Sequence, residues 1–359
     1  MRTFSHPGYK RFLLSVGCLL SIHFTALFFL TLFRLVFFFS ANYDFPDQEH
    51  VGFMSIWPAF IRGVWFDNVI ACYILLIPLV AVSISALFNY YGKILWNVTC
   101  IFFSLFYGIV LLVTAANIPY FQYFFKIINS SVFNWFGYMN TTAGIVFGET
   151  SYYPPLIGFL LTLVLFIWLM RRLIRHFQRL LNTKNPSVFW LDRIYIFLTA
   201  GICIGLCLFG IRGRTGYNPI KVSAAYYCTD PFLNQLGISP VFNLLSSTLD
   251  DSRKENRYLH LMPENEALEN TRHYLNRPGI EGISPIARQI NASDSLRRPN
   301  IVLIFMESMS AHLMKRFGQQ KELTPFLDSL YRQSLAFSNF YSSGIHTNHG
   351  MYATLYSFP

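Results

Sequence analysis

Charge is scarce in this chain. Only 13 % of its 359 residues are Asp, Glu, Lys or Arg, about half the share found in an ordinary soluble domain. Such a chain cannot clothe its whole surface for water. Cysteine is also sparse where it would matter. Cys18, Cys72, Cys100, Cys203 and Cys207 fall within or at the edges of apolar runs, where thiols pack as small apolar groups. Cys228 alone lies beyond those runs, which excludes an intramolecular disulfide framework there. Cys203 and Cys207 share one helical face without a His or carboxylate, so they make no metal site. There is no internal repeat and no low-complexity tract, which excludes a solenoid or propeller.

What is abundant is apolar surface. The hydrophobic fraction is 53 %, and the 37 Phe exceed what a soluble core needs. Crossing the hydrocarbon layer takes about 20 mostly apolar residues in a helix. Five runs qualify: Phe12 to about Phe33 (extendable to Phe39), Val69 to Phe88, Ile94 to Ala116, about Tyr153 to Met170, and Ile194 to Ile211. Their interiors are nearly free of charge. Arg34, at the end of the first run, is expected to snorkel to the interface. Gly201 and Gly205 form a small-xxx-small face on which a neighbouring helix is expected to approach closely. The first run is too long, and lacks the small-residue site, for a cleaved signal peptide.

Basic residues orient these spans. Arg2, Lys10 and Arg11 precede the first, Lys93 lies between the second and third, and Arg171, Arg172, Arg175, Arg179, Lys184 and Arg193 crowd the loop between the fourth and fifth. The alternate loops hold only Arg62 and Lys126 beside Asp44, Asp47, Glu49 and Glu149. Lys and Arg are retained in the cytoplasm, so an N-in, C-out topology is expected. The net charge of +10 is thereby explained without a nucleic-acid partner.

Two segments outside the runs carry their own signals. The stretch from Asn117 to Tyr153 is dense in aromatics, including Tyr120, Phe125, Trp135, Phe136 and Tyr138, and is expected to form short helices in the membrane interface. It reads either as an anchor belt or as a surface guiding a lipid. From Arg212 to Arg298 runs a membrane-proximal linker, apolar as far as Leu249 and charged from Asp250. Within it a short amphipathic helix starts at Pro263, with Glu264 and Glu266 in the first turn, and Arg277-Pro278-Gly279 ends it. Residues Glu281 to Arg298 read as an extended tether. The resulting division is 1–211, 212–298 and 299–359.

The last segment holds the chemistry. Ile301 to Met306 shows no polar alternation, as a strand buried on both faces of a parallel sheet would. Ligands collect at the carboxyl ends of such strands, where Glu307 and Ser308 fall. Thr324-Pro325 opens a helix, Leu335 to Tyr341 forms a second expected strand, and Thr347 precedes a helix from about Gly350 to Tyr356. An alcohol becomes a nucleophile when a divalent cation stabilises its alkoxide, and a helix N-terminus helps to hold an arriving phosphate. Glu307 would give that cation a carboxylate, and His346 and His349 would add phosphate contacts or proton transfer. Taken singly, Glu307 reads equally as a surface residue and Thr347 as an N-cap, and the two histidines lack a third zinc ligand.

Asn300 to Ser308, Leu323 to Leu330 and Phe340 to Thr347 together resemble the lipoteichoic acid synthase family of sulfatase-like phosphoglycerol transferases. The resemblance implies a multi-pass helical membrane domain of five spans. It is followed by the start of an extracytoplasmic α/β alkaline-phosphatase-like (sulfatase) domain, incomplete at the C-terminus. It implies Glu307 as metal ligand and Thr347 as both ligand and nucleophile; beside them Ser308, His346 and His349 stand as candidate substrate contacts from their own positions. The cation would be Mn²⁺, with Mg²⁺ or Zn²⁺ as in relatives. The donor would be a phosphatidylglycerol-like phospholipid, the acceptor an envelope glycan or glycerol-phosphate polymer, and the location the bacterial cytoplasmic membrane.

The family's remaining ligands include an Asp-His pair, and no Asp-His pair occurs here. Pro359 follows Thr347 by only twelve residues. This chain as written is therefore expected to hold half a site and to be inactive. Three alternatives stand beside the resemblance. A true sulfatase needs a Cys/Ser-x-Pro-x-Arg motif, which Thr347-Asn348-His349-Gly350-Met351 is not. A phosphoethanolamine transferase shares the Glu and Thr, and a non-catalytic membrane scaffold would keep the fold alone.

Overall fold

A computed structural model describes residues 6–41, 53–181, 190–253, 261–275, 300–307, 309–342, 344 and 347–356. The chain divides into two compact units, Met1–Leu261 and Met262–Pro359. The expected helix stop at Arg277-Pro278-Gly279 and the tether from Glu281 to Arg298 lie outside the described residues.

The first unit is built on helices α1 (Pro7–Ser40), α2 (Phe53–Leu87) and α3 (Lys93–Phe124). To these are added α4 (Met139–Gly148), α5 (Tyr153–Leu181) and α6 (Trp190–Arg212). All but α4 are long and apolar enough to cross a membrane, which makes five. Each extends past its apolar run. Helix α5 continues beyond Met170 through the basic stretch to Leu181, because Arg, Leu and Gln are good helix formers once outside lipid. Helix α2 is the central member: 61 % of its apolar window is buried against protein, against 11 % for α5. It packs on α1 and α6, while α3 packs on α5. Phe12, Phe66, Phe103, Tyr107 and Phe166 are fully buried between them.

Helix ends are closed by side chains from distant parts of the chain. Pro7 opens α1, and the buried carboxylate of Asp192 accepts from the Gly8 N–H at 3.3 Å and contacts His6 Nδ1 at 2.8 Å. A carboxylate at a helix N-terminus satisfies free N–H groups and complements the helix dipole.

Arg34 corrects the expectation of snorkelling. Its side chain is 4 % exposed, and Nη2 lies 2.6 Å from Asp67 of α2, itself 3 % exposed. Nη1 donates to the carbonyls of Leu236 and Ile238, the latter at 3.1 Å. A partner within reach makes pairing preferable to extending the chain to water. Gly63 makes the room, since a Cβ there would sit 2.1 Å from Arg34 Cζ. The Gly201/Gly205 face is the second correction: nothing lies within 4 Å of a Cβ at either position. The close approach falls instead at Gly210, against Cys72 of α2.

The carbonyls that Arg34 binds belong to a folded segment. Helices α7 (Pro231–Leu236) and α8 (Pro240–Ser252) pack on α1, α2 and α3. Asp230 caps α7 by accepting from the Leu233 N–H at 2.8 Å, and buried Asn234 holds the backbone of Tyr227 and Cys228. The aromatic stretch after α3 forms short helices, a 3-10 segment Ser130–Tyr138 followed by α4.

The second unit contains α9 (Glu264–Leu275), α10 (Pro325–Gln333) and α11 (Thr347–Tyr356). The two strands expected in it are not seen among the described residues. Ile301 to Met306 is 47–85 % exposed, and Leu335, Phe337, Phe340 and Tyr341 are exposed as well. A strand exists only with a neighbour to satisfy its backbone and cover its faces. No described residue supplies one.

Replacing Arg34 by Met, or Asp67 by Leu, strands one buried charge and is expected to destabilise the first unit by about 3–5 kcal/mol. The joint replacement restores most of that loss, and Gly63→Ala acts in the same direction as the single changes. Thermal unfolding of the detergent-purified chain measures all four variants. Single variants as stable as the parent would remove the pair's structural role.

Candidate active site

The site is assembled from two pieces about forty residues apart in sequence. Glu307 lies in a turn directly after the apolar Ile301 to Met306, and Thr347 is the first residue of α11. The structure brings the two together. Thr347 Oγ1 lies 3.0 Å from Glu307 Oε1 and 3.0 Å from Oε2, so the hydroxyl donates a forked hydrogen bond to the carboxylate. Both residues are exposed. Ser308 and His346 lie outside the described residues.

The loop before α11 has one tight point. Gly344 packs against the first turn of the helix, where a Cβ would lie 2.7 Å from His349 Cβ and 2.9 Å from its Nδ1. Any side chain would push the loop off the helix that carries Thr347. The sequence signal was the Ser342-Ser343-Gly344 run before Thr347, which reads as a loop but does not say which helix face it meets.

Helix α10 is held at its start by a residue that sequence reasoning missed. Asp328 Oδ2 accepts from the Lys315 N–H at 3.2 Å and from the Thr324 hydroxyl at 3.1 Å. This ties the turn Lys315–Phe317 to the helix opening. Tyr331 extends the connection, with its ring beneath the Arg316 guanidinium at 4.4 Å and its hydroxyl donating to the Phe337 carbonyl at 2.9 Å.

A carboxylate and a hydroxyl in contact can do two things chemically. The carboxylate can take the hydroxyl proton, or both oxygens can serve one hard cation. Oxygen donors of this kind suit Mg²⁺ or Mn²⁺, which commonly take one or two carboxylates and complete their shells with water and substrate phosphate. Among the described residues no group of three or more His, Cys, Asp and Glu is placed to hold a metal. The pair thus fits such a cation in chemical kind as part of a shell.

Residues 299–359 match the sulfatase family model. The match takes in both Glu307 and Thr347, and sulfatase-family proteins are commonly metal-dependent. This portion of the chain is thus similar to the sulfatase family, and it follows five long apolar helices. No curated protein and no solved structure matches the chain.

Asp328 sets a pH expectation for this segment. Desolvation opposes its ionisation, but the hydrogen bonds from the Lys315 N–H and the Thr324 hydroxyl outweigh it and hold the carboxyl below its usual value of 3.8. A depressed carboxyl stabilises the fold above its unfolded pKa, and the effect is lost as pH falls through the lower folded value. Amide exchange at Lys315, corrected for its intrinsic pH dependence, should therefore stay slow at pH 5 and quicken only below about pH 4. Asp328→Asn should quicken it at neutral pH too.

Proposed function

We propose that this chain carries the membrane anchor and the nucleophile segment of a phosphoglycerol transferase of the lipoteichoic acid synthase type. The observation that carries the reading is the contact of Thr347 Oγ1 with both oxygens of Glu307 at 3.0 Å, within the sulfatase match. In this reading the spans run N-in and C-out in a bacterial cytoplasmic membrane. The α/β sulfatase domain, with Ile301 to Met306 and Leu335 to Tyr341 as strands, then lies on the extracytoplasmic side. A phosphatidylglycerol-like lipid is the donor, and an envelope glycan or glycerol-phosphate polymer is the acceptor.

Glu307 and Thr347 would hold the divalent cation, Mn²⁺ or one of its relatives. When bound, it lowers the proton affinity of the threonine hydroxyl and offsets negative charge on the phosphate. Thr347 Oγ1 attacks the lipid phosphorus and the bond to diacylglycerol breaks, with the departing alkoxide taking up a proton. The glycerol-phosphate group is left esterified to Thr347. An acceptor hydroxyl then attacks the same phosphorus, and Thr347 is released. Thr347 opens α11, and a helix N-terminus is where a phosphate is favourably held. Ser308, His346 and His349 are the proposed substrate contacts.

The test uses the protein expressed from its gene, in vesicles of phosphatidylglycerol with Mn²⁺, and follows release of diacylglycerol. Thr347→Ala should lower release about a thousandfold or more, and Glu307→Gln about a hundredfold. Chelation should abolish release, and added Mn²⁺ should restore it. Full activity in Thr347→Ala would overturn the assignment of the nucleophile. Release from phosphatidylethanolamine vesicles in place of phosphatidylglycerol would transfer the reading to a phosphoethanolamine transferase.

A further inference from the structure

Within the first unit a groove of about 380 Å³ runs between α1, α2 and α6. Its walls are mostly apolar, with Leu19, Leu75 and Leu79 among them. One polar couple interrupts them. His23 Nε2 lies 3.1 Å from Asn68 Oδ1, and the Cys72 thiol reaches the same oxygen at 3.8 Å. His23 is buried, whereas Asn68 is half-buried and lines the groove. Asn68 Nδ2 has no acceptor among the described residues. Both helices are apolar enough to span a bilayer. In hydrocarbon an amide donor without a partner is costly, and polar groups on spanning helices mark sites more often than accidents.

We propose that this groove binds one phospholipid. An acyl chain lies along the apolar walls, and the ester carbonyl of the glycerol linkage accepts from Asn68 Nδ2. Length supports this. From Asn68 to Leu79 the groove follows α2 for eleven residues. At 1.5 Å per residue that is about 17 Å, close to the half-thickness of a hydrocarbon layer of about 30 Å. On α2, Asn68 follows Asp67 directly and stands at the start of that helix's apolar run. Trp65 closes that end and donates through its indole to the Gly213 carbonyl, as ring donors do at the headgroup level. Charge narrows the ligand further. The lining contains no Lys or Arg, which suits a neutral ester rather than a free carboxylate or a phosphate. Phe24 and Leu206 on the rim are 63 % and 65 % exposed, so the groove is entered sideways from the bilayer. The proposal needs only that these helices span the membrane; it does not depend on the chemistry at Thr347.

The test is carried out on the full chain, purified in mild detergent. Native mass spectrometry should show about one diacyl phospholipid retained per chain, with an ether-linked analogue lacking the ester carbonyls retained about tenfold less, the worth of one hydrogen bond. A phospholipid with a diazirine midway along one acyl chain should label the α2 and α6 segments that line the groove. Asn68→Leu and Leu206→Trp should each lower retention about tenfold, while Leu160→Trp, on the exposed face of α5, leaves it unchanged. Equal retention of ester and ether lipids, or labelling spread evenly over α3 and α5, would overturn the proposal. Both of those readouts use the unsubstituted protein, so a variant that fails to fold does not blunt the test.

Discussion

The helical unit depends on one buried ion pair. Arg34 and Asp67 sit where the apolar runs of α1 and α2 end, and neither charge reaches water. Each is tolerable only because the other is there, and because the carbonyls of Leu236 and Ile238 take up further donors of the guanidinium. One side chain thereby fixes α1, α2 and the α7–α8 segment in a single register. The pair also sets the rotation of α2 about its axis. Asn68 follows Asp67 directly, so turning Asp67 towards Arg34 brings Asn68 beside His23.

The surroundings of three carboxylates, Asp67, Asp192 and Glu307, differ sharply. Asp67 is buried against a guanidinium and is structural. Asp192 is fully buried at the N-terminus of α1, where it accepts from the buried Gly8 N–H. Glu307 is exposed and faces a hydroxyl. An exposed hydrogen bond of that kind adds little to stability. The sulfatase match covers both of these residues, Glu307 and Thr347.

Much of the architecture was legible because membrane spans are written in composition. A run such as Val69 to Phe88 has only one structural solution in lipid, a helix that satisfies its own backbone. The start of α10 at Thr324-Pro325 was equally local, since Pro supplies the helical φ and lacks the N–H that would go unpaired there. Helix–helix contacts were not legible. Gly201 and Gly205 carry the spacing of a packing face yet meet no described atom within 4 Å, while Gly63, four residues after Ala59, and Gly210 take close approaches. The apolar segments Ile301 to Met306 and Leu335 to Tyr341 were expected as strands, and no strand is seen there among the described residues. A strand needs neighbours that pair its backbone and cover its faces, and the described residues around these segments do not provide them.

By itself the sequence determined where the five long apolar helices lie. That property is local, set by side-chain polarity and by the hydrogen-bonding demands of the backbone. Only the tertiary structure decided the partners: Arg34 with Asp67, Asp192 with the start of α1, Asn68 with His23, and Glu307 with Thr347. The members of these pairs stand about thirty to nearly two hundred residues apart. Whether such groups meet depends on the packing of whole helices and loops, a property no short stretch of sequence contains.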